Sequence, residues 1–328
     1  MTTLLVTGGC GFIGSNLIRH LLSTYPEYQV WNLDALTYAG RLENVQDLEA
    51  NPRYRFFKGQ LQDKEFVRQV VRQGVDYIMN LAAESHVDRS IKNPGIFIET
   101  NIIGTQVLLD AAHEYGVQRF LQCSTDEVYG TLGAEGYFTE ETPLAPNSPY
   151  AASKAGADCY VRAYHETFGL EVVTTRCSNN YGPYQLPEKL IPYFIALAAE
   201  NKPLPVYGNG QNVRDWLYVE DHCRAMDMVL HKGESGQVYN VGGHNERTNL
   251  QVIHKLLELM GKSEDLIEYV KDRPGHDLRY AIDPAKIGKT LGWQPTVDFE
   301  TGLARTVDWY LSHQDWVHHV RKDLTPLV

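Results

Sequence analysis

Thr125, Asp126 and Glu127 close an apolar run, Phe120 to Cys123, that continues into Ser124, and Tyr150 and Lys154 follow after a polar loop. Residues four apart in a helix share a face, so Tyr150 and Lys154 would present a phenol and an ammonium side by side. A neighbouring cation favours the phenolate and moves tyrosine, which titrates ordinarily near ~10, towards use as a base. Thr125 offers a hydroxyl to the same substrate oxygen. The group can then take a proton from an alcohol while hydride leaves the same carbon. Asp126 and Glu127 add a second acid–base pair if their surroundings hold them in different protonation states. The bland alternatives are a surface Tyr and Lys and a solvated acidic pair. Tyr54 and Lys58 repeat the Tyr-x-x-x-Lys spacing, but in a run that reads as a strand, where the two side chains would lie well apart.

The elements ahead of this group predict what it works with. Leu4 to Thr7 reads as a buried strand, Gly8, Gly11 and Gly14 punctuate the turn after it, and Leu17, Ile18, Leu21 and Leu22 mark a helix. Strand, glycine turn and helix in that order form a dinucleotide fingerprint, in which backbone approaches a pyrophosphate and a helix N-terminus faces its charge. Gly130, Gly133 and Gly136 have the same spacing, but the residues after them cannot open a helix, so that match reads as a loop. Val30 to Leu33 reads as the second strand. Asp34 at its end lies about 20 residues past the glycines, where a carboxylate bonds the adenosine ribose and repels an added 2'-phosphate. That favours NAD over NADP.

Further strands are expected at Tyr54–Phe57, Tyr77–Leu81, Arg119–Ser124 and Glu171–Cys177, and helices at Asp63–Gln73, Ile96–Tyr115 and Tyr150–Phe168. The alternation predicts an α/β fold, a doubly wound parallel sheet of Rossmann type. Ala82 to Asp88 reads as a turn at a strand's C-terminal end, with His86 a loop histidine. After residue 178 prolines recur and elements shorten, which suggests a smaller substrate-binding lobe. The expected division is a cofactor domain of residues 1–178, rejoined by about 217–243, and a lobe of 179–216 and 244–328.

The bulk properties exclude little but fit this reading. The chain has 328 residues, 43% hydrophobic and 22% charged, ample for one large core or two linked ones. A net charge of −11 disfavours nucleic acid. No apolar run reaches membrane-spanning length, and nothing resembles a secretory leader. Five widely spaced cysteines with no Cys-x-x-Cys pair point to reduced, buried thiols, with no metal site, in the cytoplasm.

Over nearly its whole length the sequence resembles the dTDP-glucose 4,6-dehydratase family of the extended short-chain dehydrogenase/reductase superfamily. The residues that carry this are Asp34 to Gly40, Ala82 to Ser90, Ser124 to Gly130, Arg176 to Tyr184, Glu188 to Pro192, Arg214 to Asp221 and Asp272 to Asp277. The resemblance implies an NAD-dependent hydro-lyase that oxidises C4 of dTDP-glucose, eliminates water across C5 and C6, and returns hydride to C6, giving dTDP-4-keto-6-deoxyglucose. It makes Glu127 the base at C5 and Asp126 the acid at the C6 hydroxyl, where related epimerases carry small or hydroxyl residues. It assigns NAD contacts to Phe12, Ile13, Asp34, Ala35, Leu36, Thr37, Leu81, Ala82, Ala83, Glu84, Ser85, Thr100, Tyr150, Lys154 and Asn180. It assigns substrate contacts to Ser85, Asn179, Lys189, Leu190, Pro205, Val206, Tyr207, Arg214, Asn249, Asp272, Arg273, Pro274, Gly275 and His276, besides Thr125, Asp126 and Glu127. Gln60 and Leu61 depart from the acidic–apolar pair common near the adenine, and the loop from Thr131 to Pro146 is shorter than in some members. A homodimer through the helices at Ile96–Tyr115 and Tyr150–Phe168 is also implied. A CDP- or UDP-sugar enzyme, a 4-epimerase or decarboxylase, and a non-catalytic NAD-binding protein are the competing readings.

Overall fold

The computed structural model describes residues 2–272 and 277–322. The chain runs β1 (Thr2–Thr7), α1 (Phe12–Thr24), β2 (Tyr28–Asp34), β3 (Tyr54–Lys58), α2 (Lys64–Val71), β4 (Tyr77–Asn80), α3 (Val87–Lys92), α4 (Pro94–Phe97), α5 (Gly104–Glu114), β5 (Arg119–Thr125), α6 (Pro149–Phe168) and β6 (Val172–Cys177). It continues β7 (Asn179–Tyr181), α7 (Leu190–Ala199), β8 (Leu204–Tyr207), β9 (Val213–Tyr218), α8 (Val219–Lys232), β10 (Val238–Val241), β11 (Glu246–Thr248), α9 (Asn249–Met260), β12 (Ile267–Val270), α10 (Ala285–Leu291), α11 (Phe299–Ser312) and α12 (Gln314–Lys322).

Seven strands form one parallel sheet in the order β10-β6-β5-β4-β1-β2-β3. The chain winds outward from β1 through β3, then restarts at β4 on the other side. The crevice between the C-terminal ends of β1 and β4 is where such sheets bind ligands. Leu17, Ile18 and Leu21 of α1 pack with Met226 and Val229 of α8 on one face of the sheet. Val67 and Val70 of α2, Leu108 of α5 and Val161 of α6 cover the other. A separate cluster joins α7, α9 and α11 with the small sheet β11-β9-β7.

The single helix expected over Ile96–Tyr115 is instead α4 and α5 joined by a π-helical turn, Ile98–Ile103. π turns mark functional sites, because one extra residue re-aims its neighbours. Here Asn101 is buried, donating to the Glu84 carbonyl (2.9 Å) and to Ser153 Oγ (2.8 Å) while accepting from Glu84 N–H (2.9 Å). It ties the turn to the segment after β4 and to α6. Val87 opens α3 inside the stretch that reads as a turn from sequence.

On the side of α1 and α8 away from the crevice, the Asp227 carboxylate faces His20 Nε2 (2.8 Å), the Tyr25 hydroxyl (2.8 Å) and His231 Nδ1 (2.9 Å). Burial alone would raise this carboxyl, but those hydrogen bonds hold it well below the ordinary range, and the same contact overcomes burial to raise His231. A depressed carboxyl stabilises the fold above its unfolded value near ~3.9 and ceases to as pH falls through the folded value. A raised histidine stabilises below its unfolded value near ~6.5 and ceases to as pH rises through the folded value. Asp227→Asn should therefore lower stability by about 1.5–3 kcal/mol, most between these limits, in urea denaturation followed against pH. An unchanged pH profile would remove the network from the account.

Candidate active site

The glycine turn is built for close approach. Gly8 has φ +69°, and a Cβ there would lie 2.8 Å from the Ala82 backbone. A Cβ on Gly14 would collide with the Gly8 carbonyl oxygen. The turn therefore packs against the segment after β4 and leaves the α1 N-terminus without a side-chain cap, its first N–H groups facing the crevice. Asp34 Oδ2 accepts from Cys10 N–H (2.9 Å) and Oδ1 from Leu36 N–H (2.8 Å), so the carboxylate also fastens the turn it faces. Asp34→Ser is expected to narrow the preference for NAD over NADP by at least tenfold and to cost about 1–3 kcal/mol, since two N–H groups lose their acceptor. Titration with both cofactors and a melting curve check this.

A cavity of 390 Å³ follows from this turn along the strand ends. Its wall includes Gly8, Gly11, Phe12, Ile13, Gly14, Asp34, Ala35, Thr37, Gln60, Leu61, Leu81 to Ser85, Thr100, Tyr150, Lys154 and Asn180. Gln60 and Leu61 thus line it despite their departure from the usual pair. Leu36 is absent from the wall: at φ +53° its side chain packs into the core beside α1. A tight glycine turn, an open helix terminus and an acidic side chain at the end of β2 fit a dinucleotide.

A second cavity of 240 Å³ is lined by Ser85, Asn179, Lys189, Leu190, Pro205, Val206, Tyr207, Arg214 and Asn249. Ser85, Glu127, Asn179, Glu188 and Lys189 line both cavities. Asp272 lies off this wall, beside Gly208, while Arg273, Pro274, Gly275 and His276 fall outside the described residues. Sequence reasoning gave no role to Glu188, nor to Asn147, Tyr193, Trp216, Asp277 and Tyr280, which also line the second cavity. Glu188 is buried, with His86 Nε2 at 4.0 Å and Arg89 at 3.8 Å. The Pro187-Glu188-Lys189 run was the available signal, but nothing local distinguishes Glu188 from a solvated acid. His86 is a loop histidine, as expected, at the N-cap of α3; it is also buried and lines the second cavity.

Thr125, Asp126, Glu127, Tyr150 and Lys154 meet where the cavities join. Thr125 ends β5 and caps the short 3-10 turn Asp126–Tyr129, accepting from Glu127 N–H (3.3 Å) and donating to Asp126 Oδ1 (3.3 Å). Ser148 caps α6 by accepting from Ala151 N–H (3.1 Å), and Pro149 sets its first turn, so Tyr150 enters at the helix start and Lys154 one turn on. Both are buried, and Lys154 Nζ donates to the Cys123 carbonyl (2.7 Å). Tyr54 and Lys58, by contrast, lie along β3, where the Tyr54 hydroxyl accepts from Asn32 Nδ2 (2.8 Å).

The electrostatics depart from the simple pairing. Burial raises the Tyr150 phenol well above its ordinary value, the Glu127 charge adds to this, and a hydrogen bond with Thr125 opposes it. The ammonium one turn away does not reverse that. Asp126 is also pushed well up, first by burial, then by Glu127 and Asp215, with Arg214 partly offsetting. Its Oδ2 is buried without a hydrogen bond. Burial therefore favours the neutral acid at Asp126, beside a more accessible carboxyl, Glu127.

Residues 5–306 match the family model described as GDP-mannose 4,6 dehydratase. A dTDP-glucose 4,6-dehydratase of Xanthomonas campestris pv. campestris (strain B100) is 53% identical over 98% of this chain and 96% of its own length. DesIV, the dTDP-glucose 4,6-dehydratase of Streptomyces venezuelae solved with NAD bound, superposes with a TM-score of 0.95 at 50% identity, covering 97% of this chain and all of the other. The enzyme of the same name from Bacillus anthracis, solved in complex with NAD, gives 0.92 at 50% identity, covering 98% of this chain and all of the other. Shared across whole chains, these matches mean that the protein belongs to the GDP-mannose 4,6 dehydratase family and, within it, to the dTDP-glucose 4,6-dehydratases.

Proposed function

We propose that the chain is an NAD-dependent dTDP-glucose 4,6-dehydratase, a hydro-lyase that forms dTDP-4-keto-6-deoxyglucose. The observation that carries this reading is the paired carboxyls Asp126 and Glu127 at the junction of a dinucleotide cleft and a second cavity. Bound NAD supplies the acceptor and later the donor of hydride. Tyr150 takes the proton of the sugar's C4 hydroxyl, and Thr125 holds the same oxygen. Oxidation at C4 acidifies the C5 proton, which Glu127 removes. Asp126, kept neutral, protonates the hydroxyl leaving C6. A 4-epimerase needs neither of the last two steps, which disfavours that reading.

In the second cavity Lys189 and Arg214 supply positive charge for a diphosphate, and Tyr207 a flat ring for a pyrimidine. Asp272, Arg273, Pro274, Gly275 and His276 complete the proposed substrate set. Leu36 joins the NAD set through its backbone beside Asp34. The cofactor body comprises residues 1–178 and 217–243, supported by the pairing of β10 with β6 and the packing of α8 on α1; residues 179–216 and 244–328 form the substrate lobe. A homodimer is supported by Ile98, Ile103, Tyr160 and Phe168, large apolar side chains exposed on the π turn and α6. Cytoplasmic residence is supported by five free cysteines, and among the described residues no helix is long and apolar enough to cross a membrane.

Incubation with dTDP-glucose, followed by mass, is expected to show loss of one water with no lasting NADH signal. Unchanged mass with inverted C4 stereochemistry would replace this reading with epimerisation. Untouched substrate, with CDP- or UDP-glucose dehydrated instead, would move the assignment to another nucleotide.

A further inference from the structure

Beneath the catalytic group, Cys123, Cys177 and His222 bring two sulfurs and an imidazole nitrogen within 4.8 Å of one another. Cys123 precedes Thr125 by two residues on β5, so both project from one face of the strand, and Cys177 stands opposite Thr125 on β6. His222 descends onto them from the first turn of α8. All three are buried, His222 completely. Neither ring nitrogen of His222 has a hydrogen bond of ordinary length, and the polar neighbour the ring faces is the Cys123 sulfur. A buried imidazole without partners costs stability unless something satisfies it. Both thiols also line the cofactor cleft, so the group is reachable from the side where NAD would lie.

Two chemistries suit a thiol pair, and geometry separates them. Cys123 is offset by two residues from the position opposite Cys177. With a rise of ~3.3 Å per residue and strands ~4.8 Å apart, their Cα atoms lie about 8 Å apart, beyond the ~7 Å a disulfide spans. Backbone held in the middle of a sheet will not close that gap. A metal ion asks for less. Bonds of about 2.3 Å to sulfur and 2.0–2.1 Å to nitrogen leave tetrahedral donors roughly 3.5–3.8 Å apart, a movement of about 1 Å that side-chain rotation supplies. Two thiolates and an imidazole select soft or borderline d10 ions.

We propose that Cys123, Cys177 and His222 form a three-ligand site for one thiophilic d10 cation, Zn²⁺ or Cu⁺, whose fourth position opens to the cofactor cleft, and that its occupancy inhibits turnover. The site displaces two thiol protons on binding a cation. The inhibitory half rests on the dehydratase reading; the binding half does not. Inhibition follows from position: Lys154 is anchored on the carbonyl of Cys123, and the ion stands in the wall against which the cofactor packs.

The test uses Co²⁺ as a spectroscopic probe on the purified, reduced protein with and without NAD, and Zn²⁺ as a competitor. The expected result is thiolate-to-Co²⁺ charge transfer with intense tetrahedral visible bands, saturating at one ion per chain. Zn²⁺ should abolish the bands, and Cys177→Ser and His222→Gln, each verified as folded by its melting curve, should lose them. Zn²⁺ should also suppress dehydration at least tenfold, reversibly with chelator, and spare Cys177→Ser. A weak octahedral spectrum, or bands that survive both substitutions, would overturn the site. Inhibition that persists in Cys177→Ser would overturn the inhibitory role. Bands in a protein that dehydrates no nucleotide sugar would uphold the site and remove only the activity reading.

Discussion

Tyr150→Phe is expected to lower kcat for dTDP-glucose by about 10²–10⁴-fold while NAD binding is retained, the range over which a positioned acid–base group acts. In the proposed mechanism the phenol takes the C4 proton, with Thr125 in hydrogen-bond reach and Lys154 one helical turn away. Because burial and Glu127 raise Tyr150, its neutral form prevails at physiological pH. The rate should therefore climb on the alkaline side in the native enzyme, and that limb should vanish in Tyr150→Phe. Phenylalanine keeps the ring that meets Phe97 edge-on at 6.3 Å between centroids, so the fold should tolerate the change. Stopped-flow turnover beside NAD titration reads both quantities. Retained turnover would take Tyr150 out of the mechanism.

Asp126→Asn should have an equally large effect on turnover and the opposite effect on stability. An amide cannot donate a proton to the departing hydroxyl, so elimination should fall by about 10²–10⁴-fold while C4 oxidation continues, and NADH absorbance should persist. The stability sign follows from burial. The folded protein raises the Asp126 carboxyl well above its unfolded value. Such a group favours folding fully below about pH 3.9 and progressively less as pH rises through the folded value. Asn carries no such dependence, so the variant should melt at a higher temperature at neutral pH and converge with the native protein in acid. A variant that melts lower at neutral pH would mean that Asp126 is not held neutral. Glu127→Gln separates the pair: it should abolish solvent exchange of the C5 proton. Substrate deuteration followed by mass distinguishes the two.

The folding network and the catalytic group respond to pH for unlike reasons. Asp227 gains hydrogen bonds that outweigh its burial, so its charge supports the fold. Asp126 is buried with one oxygen unbonded, so its charge would oppose the fold. A destabilised carboxyl kept at the join of two cavities is the common trade of stability for function.

Local residues were enough for features made by contiguous chain. Gly8, Gly11, Gly14 and Asp34 could be read because a strand, a turn and a helix follow directly on one another. Tyr150 and Lys154 could be paired because helical period alone puts them on one face, and Tyr54 and Lys58 set aside because a strand separates them. The second cavity could not be derived that way. Its wall draws on residues from Ser85 to Tyr280, and the contacts that gather them form between segments far apart in sequence. The π turn, the burial of Glu188 and the meeting of Cys123, Cys177 and His222 have no local signature either. Most decisive is Asp126: its neighbour Glu127 is visible in the sequence, but desolvation is a property of everything packed around a group. Only the tertiary structure determines which carboxyl keeps its proton.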